Sequence, residues 1–567
     1  MDFKTGHIVG RILWPIVTPF IVAWGTRKIL SWVLLAVHVP ASWAEDISIL
    51  ASWIVFGLWV YRSFKKRGNN EASIGSVSHT ISTGAKIKDF VFGLQAVKFL
   101  VKLVNPYAGV LVIGGPGSGK SFSIVSPIIA QAVRKNFTGI VYDFKYPDLT
   151  NKIPIHEKGQ PPRYYVNFDD LTRSNRVNPI SPDVLFSSSQ ADAAAHTIMI
   201  NLTAKGTGDN FFADNAKALL AGIIWYLREE HPTLCTLPHA MAMVNSPIED
   251  LVRLLSQNIE VRGSISSIRT ALEQKAGGQL AAVISTLQNS LRTINKPSLA
   301  WVLSGNDFSL NLNDPETPGL LILSNNDDLR AVYSPVLSLI VSVASKRMNR
   351  PDKLPSMVVL DEAPTLLIPN FSSLPATCRS HKLTTVFAAQ NISQIDDMYG
   401  DKERKSIIST LNNQFFGSLS EQESAEYVAK MWGSEYVKQW GSSVNHAKPG
   451  EVFDSNSDSV SLTKRDRLQA SDVQGLAKGE FLGRLVESDV SLFRAKMTPE
   501  TLVSTPVVAF AEVSQEDVKA NFRRIQQEIE QLFTPSSSHI PAASPIPVAV
   551  EQPAKVREQS RSIEDDF

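Results

Sequence analysis

The chain has 567 residues, of which 43% are hydrophobic and 20% charged, so most of it can bury a core and we expect two to four domains. The net charge of +1 gives no overall bias toward a nucleic-acid partner, and any basic surface must be local. The two cysteines, Cys235 and Cys378, lie far apart in the sequence, which excludes a disulfide framework and is typical of a reducing compartment.

The N-terminal region carries three apolar stretches that contain six tryptophans, over residues 8–24, 29–43 and 47–61. Tryptophan is enriched at bilayer interfaces, and the basic cluster over residues 62–67 predicts that the following chain lies in the cytoplasm. We therefore predict that residues 1–67 are a membrane anchor of two transmembrane helices, the second starting at Ile47. Which of the earlier stretches forms the first helix stays open.

A glycine-rich motif follows a linker over residues 68–90. It fits G-x-x-x-x-G-K-[ST], the loop that wraps the phosphates of a nucleotide, and consists of Gly114, Gly115, Pro116, Gly117, Ser118, Gly119, Lys120 and Ser121. Glycines let backbone N–H groups close on phosphate oxygens. We expect Lys120 to reach the β- and γ-phosphates of ATP and Ser121 to ligate Mg²⁺. A buried strand over 109–113 and a helix over 121–134 are predicted on either side.

From residue 90 onward, short apolar runs alternate with helical stretches, which indicates an α/β domain with a mainly parallel sheet. The predicted strands cover residues 110–113, 139–142, 164–168, 319–324, 357–360, 385–388 and 414–418. Four of them end in Asp143, Asn325, Asp361 and Gln390. Because ligands bind at the carboxyl ends of parallel strands, these side chains are expected to converge on the nucleotide.

The strand signal fades between residues 187 and 303, where helices are predicted over 213–230, 247–257 and 264–296. We interpret this segment as an all-α domain inserted into the sheet domain. The nucleotide-binding domain would then have a first part over 68–186 and a second part over 304–510. Residues 511–567 are expected to form a charged helix and a disordered tail rich in proline and serine.

A second motif is the apolar strand that ends in Asp361 and Glu362. Asp361 is expected to hold Mg²⁺, and Glu362 to orient or deprotonate the attacking water. Hydrolysis of a nucleoside triphosphate requires adjacent acids that handle metal and water separately, whereas a nucleotide kinase would not need Glu362. The pair therefore favours an ATPase.

The sequence around these motifs resembles the TraG/TraD family, the coupling proteins of conjugation and type IV secretion. The matching segments are residues 143–145, 178–179, 209–212, 360–364, 368–370, 376–380, 386–390 and 395–400, together with Pro127, which should kink its helix. The chain departs from the family at Tyr146, Pro147 and Asp148, where the family usually continues with glycine and an acid.

The resemblance implies a RecA-like P-loop NTPase in the bacterial inner membrane, multi-pass, with its ATPase domain in the cytoplasm. It implies a homohexamer that uses ATP and Mg²⁺ and contacts the lipid bilayer, single-stranded DNA with its relaxase, and type IV secretion channel proteins. Gln390 would sense the γ-phosphate, and Arg379 is our candidate for an arginine finger offered to a neighbouring subunit.

Two alternatives stay open. One is a translocase of double-stranded DNA of the FtsK kind, although the C-terminal tail offers no module that reads duplex DNA. The other is a membrane receptor that uses nucleotide binding as a switch and barely hydrolyses, against which the intact Asp361 and Glu362 argue. A protein-only cargo also remains open.

Overall fold

The computed structural model describes residues 46, 47, 49, 91–203, 211–445, 455–488, 492–499 and 501–534. The strands in these ranges are β1 (Phe92–Gln95), β2 (Leu100–Leu103), β3 (Val110–Ile113), β4 (Thr138–Asp143), β5 (Arg163–Val166), β6 (Leu320–Ser324), β7 (Ser356–Leu360), β8 (Leu383–Ala389), β9 (Asn413–Phe416), β10 (Ser434–Asn445), β11 (Ser455–Asp466), β12 (Glu480–Arg484) and β13 (Leu492–Lys496).

The helices, numbered in the same way, alternate with the strands and are most frequent between β5 and β6. They are α1 (Ser126–Arg134), α2 (Ser188–Leu202), α3 (Phe211–Glu230), α4 (Leu237–Met243), α5 (Ile248–Leu255), α6 (Ile259–Ser264), α7 (Ser266–Glu273), α8 (Gly277–Leu291), α9 (Pro297–Leu303), α10 (Arg330–Met348), α11 (Ser373–Thr377), α12 (Ile392–Tyr399), α13 (Asp401–Thr410), α14 (Gln422–Met431), α15 (Ala470–Gln474) and α16 (Gln515–Phe533).

The central sheet has nine strands in the order β13-β12-β9-β3-β8-β7-β4-β6-β5. The run from β9 to β5 is parallel, whereas β12 pairs antiparallel with both β9 and β13. The parallel strands are those predicted from the sequence, and the prediction of an α/β fold with a mainly parallel sheet is confirmed. Strands covered on both faces read as continuous apolar runs, which is why they were visible in the sequence.

The sheet separates two apolar clusters. Leu111 and Ile113 on β3 point into one cluster, and Val110 and Val112 on the same strand point into the other, because successive strand residues face opposite sides. The first cluster contains most of the helices between β5 and β6 together with α10, and the second contains α1 and the β1–β2 hairpin. The helix predicted over residues 264–296 is divided, because Lys275 adopts a left-handed conformation (φ +56°) between α7 and α8.

The C-terminal helix α16 packs on α4 and α9. Hydrogen bonds of His239 hold α16 against α4. The Nδ1 atom of His239 lies 2.6 Å from the Thr236 hydroxyl, and its Nε2 atom lies 2.9 Å from a carboxylate oxygen of Glu528 on α16. A capping box between Ser514 and Asp517 starts the helix, which agrees with the helix expected from the sequence at this point.

The prediction of a multi-pass inner-membrane protein is contradicted by the structure. Crossing a bilayer requires about 20 consecutive, predominantly apolar residues, and no helix in the described part of the chain is both long and apolar enough. We therefore withdraw that location and the lipid bilayer as a partner. Apart from Asp46, Ile47 and Ile49, the stretch over residues 8–61 to which the transmembrane helices were assigned lies outside the described residues.

Candidate active site

The glycine-rich loop leaves β3 and is held by the ends of two neighbouring strands. The amide of Gly114 donates to the carbonyl of Ala389 at the end of β8 (3.1 Å), and the amide of Gly115 donates to the carbonyl of Ser418 just after β9 (2.8 Å). Pro116 and Gly117 form the exposed tip of the loop. The loop is therefore anchored at its start and open to solvent at its tip, as a phosphate cradle must be.

The loop conformation depends on glycine at specific positions. Gly117 and Gly119 have φ values of +78° and +93°, which other residues adopt only with strain. A Cβ atom on Gly114 would lie 2.5 Å from the hydroxyl of Ser118. That buried hydroxyl has no hydrogen-bond partner in the described structure. A polar ligand seated in the loop would supply one, because buried polar groups in proteins are normally paired.

A π-helical turn, Ser121–Val125, begins the helix that follows the loop, and the turn continues into α1. Its i→i+5 bond runs from the amide of Ser126 to the carbonyl of Ser121. Pro127 follows directly and has no amide hydrogen to donate. The helix therefore starts with a wide turn beside the phosphate loop, and the kink expected at Pro127 stays a prediction.

The two predicted motifs meet although about 240 residues separate them. The hydroxyl of Ser121 donates to a carboxylate oxygen of Asp361 at 2.9 Å. The ammonium of Lys120 forms an ion pair with Glu362, and their side chains are only 9% and 7% exposed. Both acids follow β7, and Glu362 has a left-handed backbone (φ +52°) that turns the chain directly after the strand. The site therefore combines a hydroxyl, an ammonium and two carboxylates at one edge of the sheet.

Burial raises the pKa of Asp361, Lys120 lowers it, the nearby charge of Glu362 raises it and the Ser121 hydrogen bond lowers it, and the net result is a pKa of about 6. Two carboxylates thus compete for one lysine. An added divalent cation would compensate the second negative charge, and hydroxyl and carboxylate oxygens are ligands that Mg²⁺ prefers. The residues predicted to hold Mg²⁺ fit that ion.

Gln390 follows β8, the strand that lies between β3 and β7. Its side-chain amide donates to the carboxylate of Glu362 at 3.3 Å. The structure thus places Gln390 against the acid predicted to handle water. A side-chain amide can both donate and accept, so this position can contact a water molecule and a phosphate together.

Arg379 lies at the opposite end of the same strand. It belongs to the short 3₁₀ turn Cys378–His381 that precedes β8, whereas Gln390 follows that strand. The Arg379 side chain is 60% exposed and forms an ion pair with Glu487. The structure does not bring Arg379 into the site of its own chain.

The other two strand-end residues have different partners. One carboxylate oxygen of Asp143 accepts hydrogen bonds from the amides of Leu149 and Thr150 and from the Thr150 hydroxyl. Burial raises the pKa of Asp143. Asn325 donates to the hydroxyl of Tyr142 at 2.7 Å. The other carboxylate oxygen of Asp143 is buried without a hydrogen-bond partner in the described structure, and the charge of Asp143 contributes to the raised pKa of Asp361. The expectation that all four strand-end side chains converge on the nucleotide stays a prediction for Asp143 and Asn325.

A cleft of about 370 Å³ adjoins Glu362 and Gln390, and its lining carries two cationic side chains, Lys145 and Arg330, and two further acids, Asp327 and Asp397. Arg330 belongs to neither of the two motifs recognised in the sequence. This arginine is the first residue of α10 and follows β6, so a search extended beyond the strand-end residues could have found it. Its charge can meet a phosphate group that projects past Glu362.

The sequence is similar to a known protein family and to a known coupling protein. Residues 71–481 match the family model described as Type IV secretory system Conjugative DNA transfer. The Escherichia coli K12 coupling protein TraD is 27% identical over 177 residues, which is 30% of this chain and only 24% of TraD.

Solved structures of the coupling protein TrwB are also similar. Its unbound monoclinic form has a TM-score of 0.59 at 16% identity, over 77% of this chain and 99% of that one. Its complex with ADP and Mg²⁺ has a TM-score of 0.58 at 16% identity, over 78% and 99%. The resemblance to TraG/TraD coupling proteins noted in the sequence is confirmed. Because the family model covers well over half of the sequence, the chain belongs to the type IV secretory system conjugative DNA transfer family.

Proposed function

We propose that this protein is an ATP-driven coupling protein that recruits a relaxase attached to single-stranded DNA and passes it to the channel proteins of a type IV secretion system. The observation that carries the proposal is the contact between the two motifs. Ser121 and Asp361 lie 2.9 Å apart, beside the buried pair of Lys120 and Glu362. This is the arrangement that one metal-bound triphosphate needs.

The phosphate loop suits ATP and Mg²⁺. The loop amides and Lys120 would hold the phosphates, and Ser121 and Asp361 would hold the metal, which when bound supplies positive charge to the phosphate oxygens. TrwB, a structural neighbour, has been solved with ADP and Mg²⁺ and with a non-hydrolysable ATP analogue, which supports the choice of ligand.

The side chains can divide the work of hydrolysis among themselves. When Lys120 turns to the phosphates, the carboxylate of Glu362 loses its cationic partner and becomes available to accept a proton from water. Gln390 already contacts that carboxylate and can orient the same water molecule through its amide. Lys145 and Arg330 face the adjoining cleft, where they can stabilise the charge of the terminal phosphate.

The strand order supports a RecA-like motor, since one strand separates the strand of the phosphate loop from the strand of the two acids. We propose that residues 68–186 and 304–510 form its nucleotide-binding domain, with the helical segment 187–303 as an insertion that receives the cargo. Arg379 is exposed and lies far from its own site, which suits a finger that completes the site of a neighbouring subunit. This assignment requires a ring, and we propose a homohexamer.

The test is ATP hydrolysis by two variants, measured with and without single-stranded DNA. Lys120→Ala is expected to lose nucleotide binding, whereas Glu362→Gln is expected to bind ATP without turnover. Wild-type turnover in either variant would overturn the assignment. Stimulation by single strands supports a conjugative coupling protein. Preference for duplex DNA would instead indicate a double-stranded DNA translocase, and negligible turnover of the unaltered protein a nucleotide switch.

A further inference from the structure

A two-stranded arm extends from the nucleotide-binding domain. It consists of β10 and β11, which pair antiparallel along their whole length, from Ser434 opposite Asp466 to Asn445 opposite Ser455. Within the described part of the chain, the two strands pair with each other and with no strand of the central sheet. The arm therefore presents two faces, and neither of them is needed to cover the core.

One face of the arm is apolar and basic. The register places Tyr436 opposite Lys464, Lys438 opposite Leu462, and Trp440 opposite Val460. Because alternate residues of a strand share a face, these six side chains lie together, and we call them the aromatic face. Tyr436 is 72% exposed, Trp440 is 73% exposed and Leu462 is 65% exposed.

Exposure of this kind does not stabilise the fold, because these side chains lie in water. A contiguous exposed group of large apolar side chains marks a binding surface in soluble proteins. The charged residues on the aromatic face help to indicate which class of ligand it can bind. Lys438 and Lys464 are its cations, and the register adds one acid beyond each end of the face, Asp466 opposite Ser434 at the base of the arm and Asp458 opposite Ser442 toward its tip. Asp466 accepts a hydrogen bond from Ser434 at 3.0 Å.

The spacing along β10 fits a polyanion that carries flat rings. Tyr436 and Trp440 lie four residues apart, or about 13 Å at the rise of a strand, with Lys438 between them on the same face. Aromatic side chains stack on unpaired bases, and interleaved lysines neutralise phosphates, which is how proteins hold single strands without reading their sequence. Duplex DNA keeps its bases stacked inside and would meet only the lysines.

We propose that the aromatic face is a binding site for single-stranded nucleic acid, in which Tyr436 and Trp440 stack on bases and Lys438 and Lys464 neutralise phosphates. The proposal deepens the proposed function and rests on it for the identity of the cargo. It goes further in placing the contact on this arm.

The base of the arm is connected to the phosphate loop through α15 and Ser418. The amide of Arg467 closes the base of the arm on the carbonyl of Gly433 at 3.0 Å. The chain then forms α15, where the carbonyl of Gln474 accepts a hydrogen bond from the hydroxyl of Ser418 at 2.9 Å. Ser418 is also the residue that accepts the amide of Gly115. The segment that follows the arm is thus linked to the phosphate loop through Ser418.

The first experiment measures the binding of fluorescent oligodeoxythymidine to the full chain by anisotropy, without ATP. Stacking contributes about 1–3 kcal/mol per base, so Tyr436→Ala and Trp440→Ala are each expected to weaken binding by about 5- to 150-fold. Trp440→Phe keeps a ring and should retain most of the affinity. The matched control is Gln439→Ala, which lies on the opposite face of the same strand and should bind like the unaltered protein.

The second experiment tests the lysines through salt. Each phosphate neutralised on a single strand contributes about 0.7 to the slope of log affinity against log salt concentration. Lys438→Gln combined with Lys464→Gln is therefore expected to reduce that slope by about 1.4. The variants with altered aromatic residues should leave the slope nearly unchanged, since they remove stacking and no charge.

Three results would overturn the inference. The first is unchanged affinity of the Tyr436→Ala, Trp440→Ala double variant for oligodeoxythymidine. The second is equal binding of a blunt duplex that is equally sensitive to both substitutions. The third is a change of oligomeric state in the double variant, seen by sedimentation velocity, with unchanged DNA affinity, because the face would then be a contact between subunits.

Failure of this inference can be told apart from failure of the proposed function. Loss of oligonucleotide binding in the arm variants, in a chain that never hydrolyses ATP, would support the arm and refute the motor. ATP turnover stimulated by single strands, with arm variants that bind normally, would refute the arm and support the motor. The Lys120→Ala chain, which is expected not to bind ATP, serves as the reference for zero ATP hydrolysis in both comparisons.

Discussion

Replacing Lys120 by methionine removes the cation from a buried group of three charged side chains. Lys120 pairs with Glu362, and the two side chains are 9% and 7% exposed. Asp361 interacts electrostatically with both of them. Methionine keeps the unbranched apolar stem of lysine, so the substitution changes charge more than packing. Two buried carboxyl groups then remain without the ammonium that compensated them.

The size of the effect follows from burial. Removing one partner of a buried ion pair costs about 3–5 kcal/mol of folding free energy. Part of this is recovered when a carboxyl group binds a proton, because the pKa of Asp361 is already raised from 3.8 to about 6 and loses the lowering effect of Lys120. For an acid with a raised pKa, the contribution to stability is complete below 3.8 and is lost as the pH rises through the folded-state pKa.

We therefore expect Lys120→Met to be less stable than the unaltered chain by about 3–5 kcal/mol above neutral pH and by less in mildly acidic buffer. The assay is urea unfolding of the full chain without nucleotide, followed by circular dichroism at both pH values. The control is Lys120→Met combined with Glu362→Gln, which removes both charges and should recover most of the loss. The reasoning is refuted if Lys120→Met unfolds at the same urea concentration as the unaltered chain, or if the double variant recovers nothing.

Three further predictions follow from other parts of the structure. Gly139→Ala is expected to prevent folding, since its φ is +122° and a Cβ would overlap the facing carbonyl of β7, whereas Gly159→Ala meets no atom within 4 Å and should cost about 1–2 kcal/mol; soluble yield and urea unfolding compare them. Burial lowers the pKa of His239 below its ordinary 6.5, so the stability contributed by the neutral ring is complete above that pH and is lost as the pH falls; the protection of the α16 amides from hydrogen exchange, relative to their intrinsic rates at each pH, should fall in acid, and much less so in His239→Gln. A mixture of Arg379→Ala chains and Lys120→Ala chains should hydrolyse ATP faster than either alone if the finger acts between subunits, and a rate equal to the sum of the two would contradict it.

Two elements were not predicted from the sequence, the β10–β11 arm and the break between α7 and α8. The β10–β11 arm buries no face against the core, and its local signal is limited to a short polar–apolar alternation from Ser459 to Thr463. The break between α7 and α8 falls at Lys275, a residue that enters a left-handed conformation far less readily than glycine does. Gly277 and Gly278, at the start of α8, do mark this break in the local sequence, whereas the strands of the arm carry no equally strong signal.

The site divides in a similar way. The phosphate loop and the adjacent acids were identified from the sequence, because each is a local run of residue types whose chemistry is specific. The strand ends at Asp143 and Asn325 are equally suitable in the sequence, but the structure shows one oxygen of Asp143 bonded to the following loop and Asn325 bonded to Tyr142. The sequence provides no distance between strands that lie far apart along the chain.

The sequence by itself determined the chemical groups of this protein: a glycine-rich cradle, a lysine, two acids and the buried strands that carry them. Tertiary structure alone decided which groups meet. With strands spaced by about 4.8 Å, the order β3-β8-β7-β4-β6 places the ends of β8 and β7 beside the phosphate loop and the end of β6 about 19 Å away. Strand order depends on how distant segments pair, and local residue patterns carry no record of that pairing.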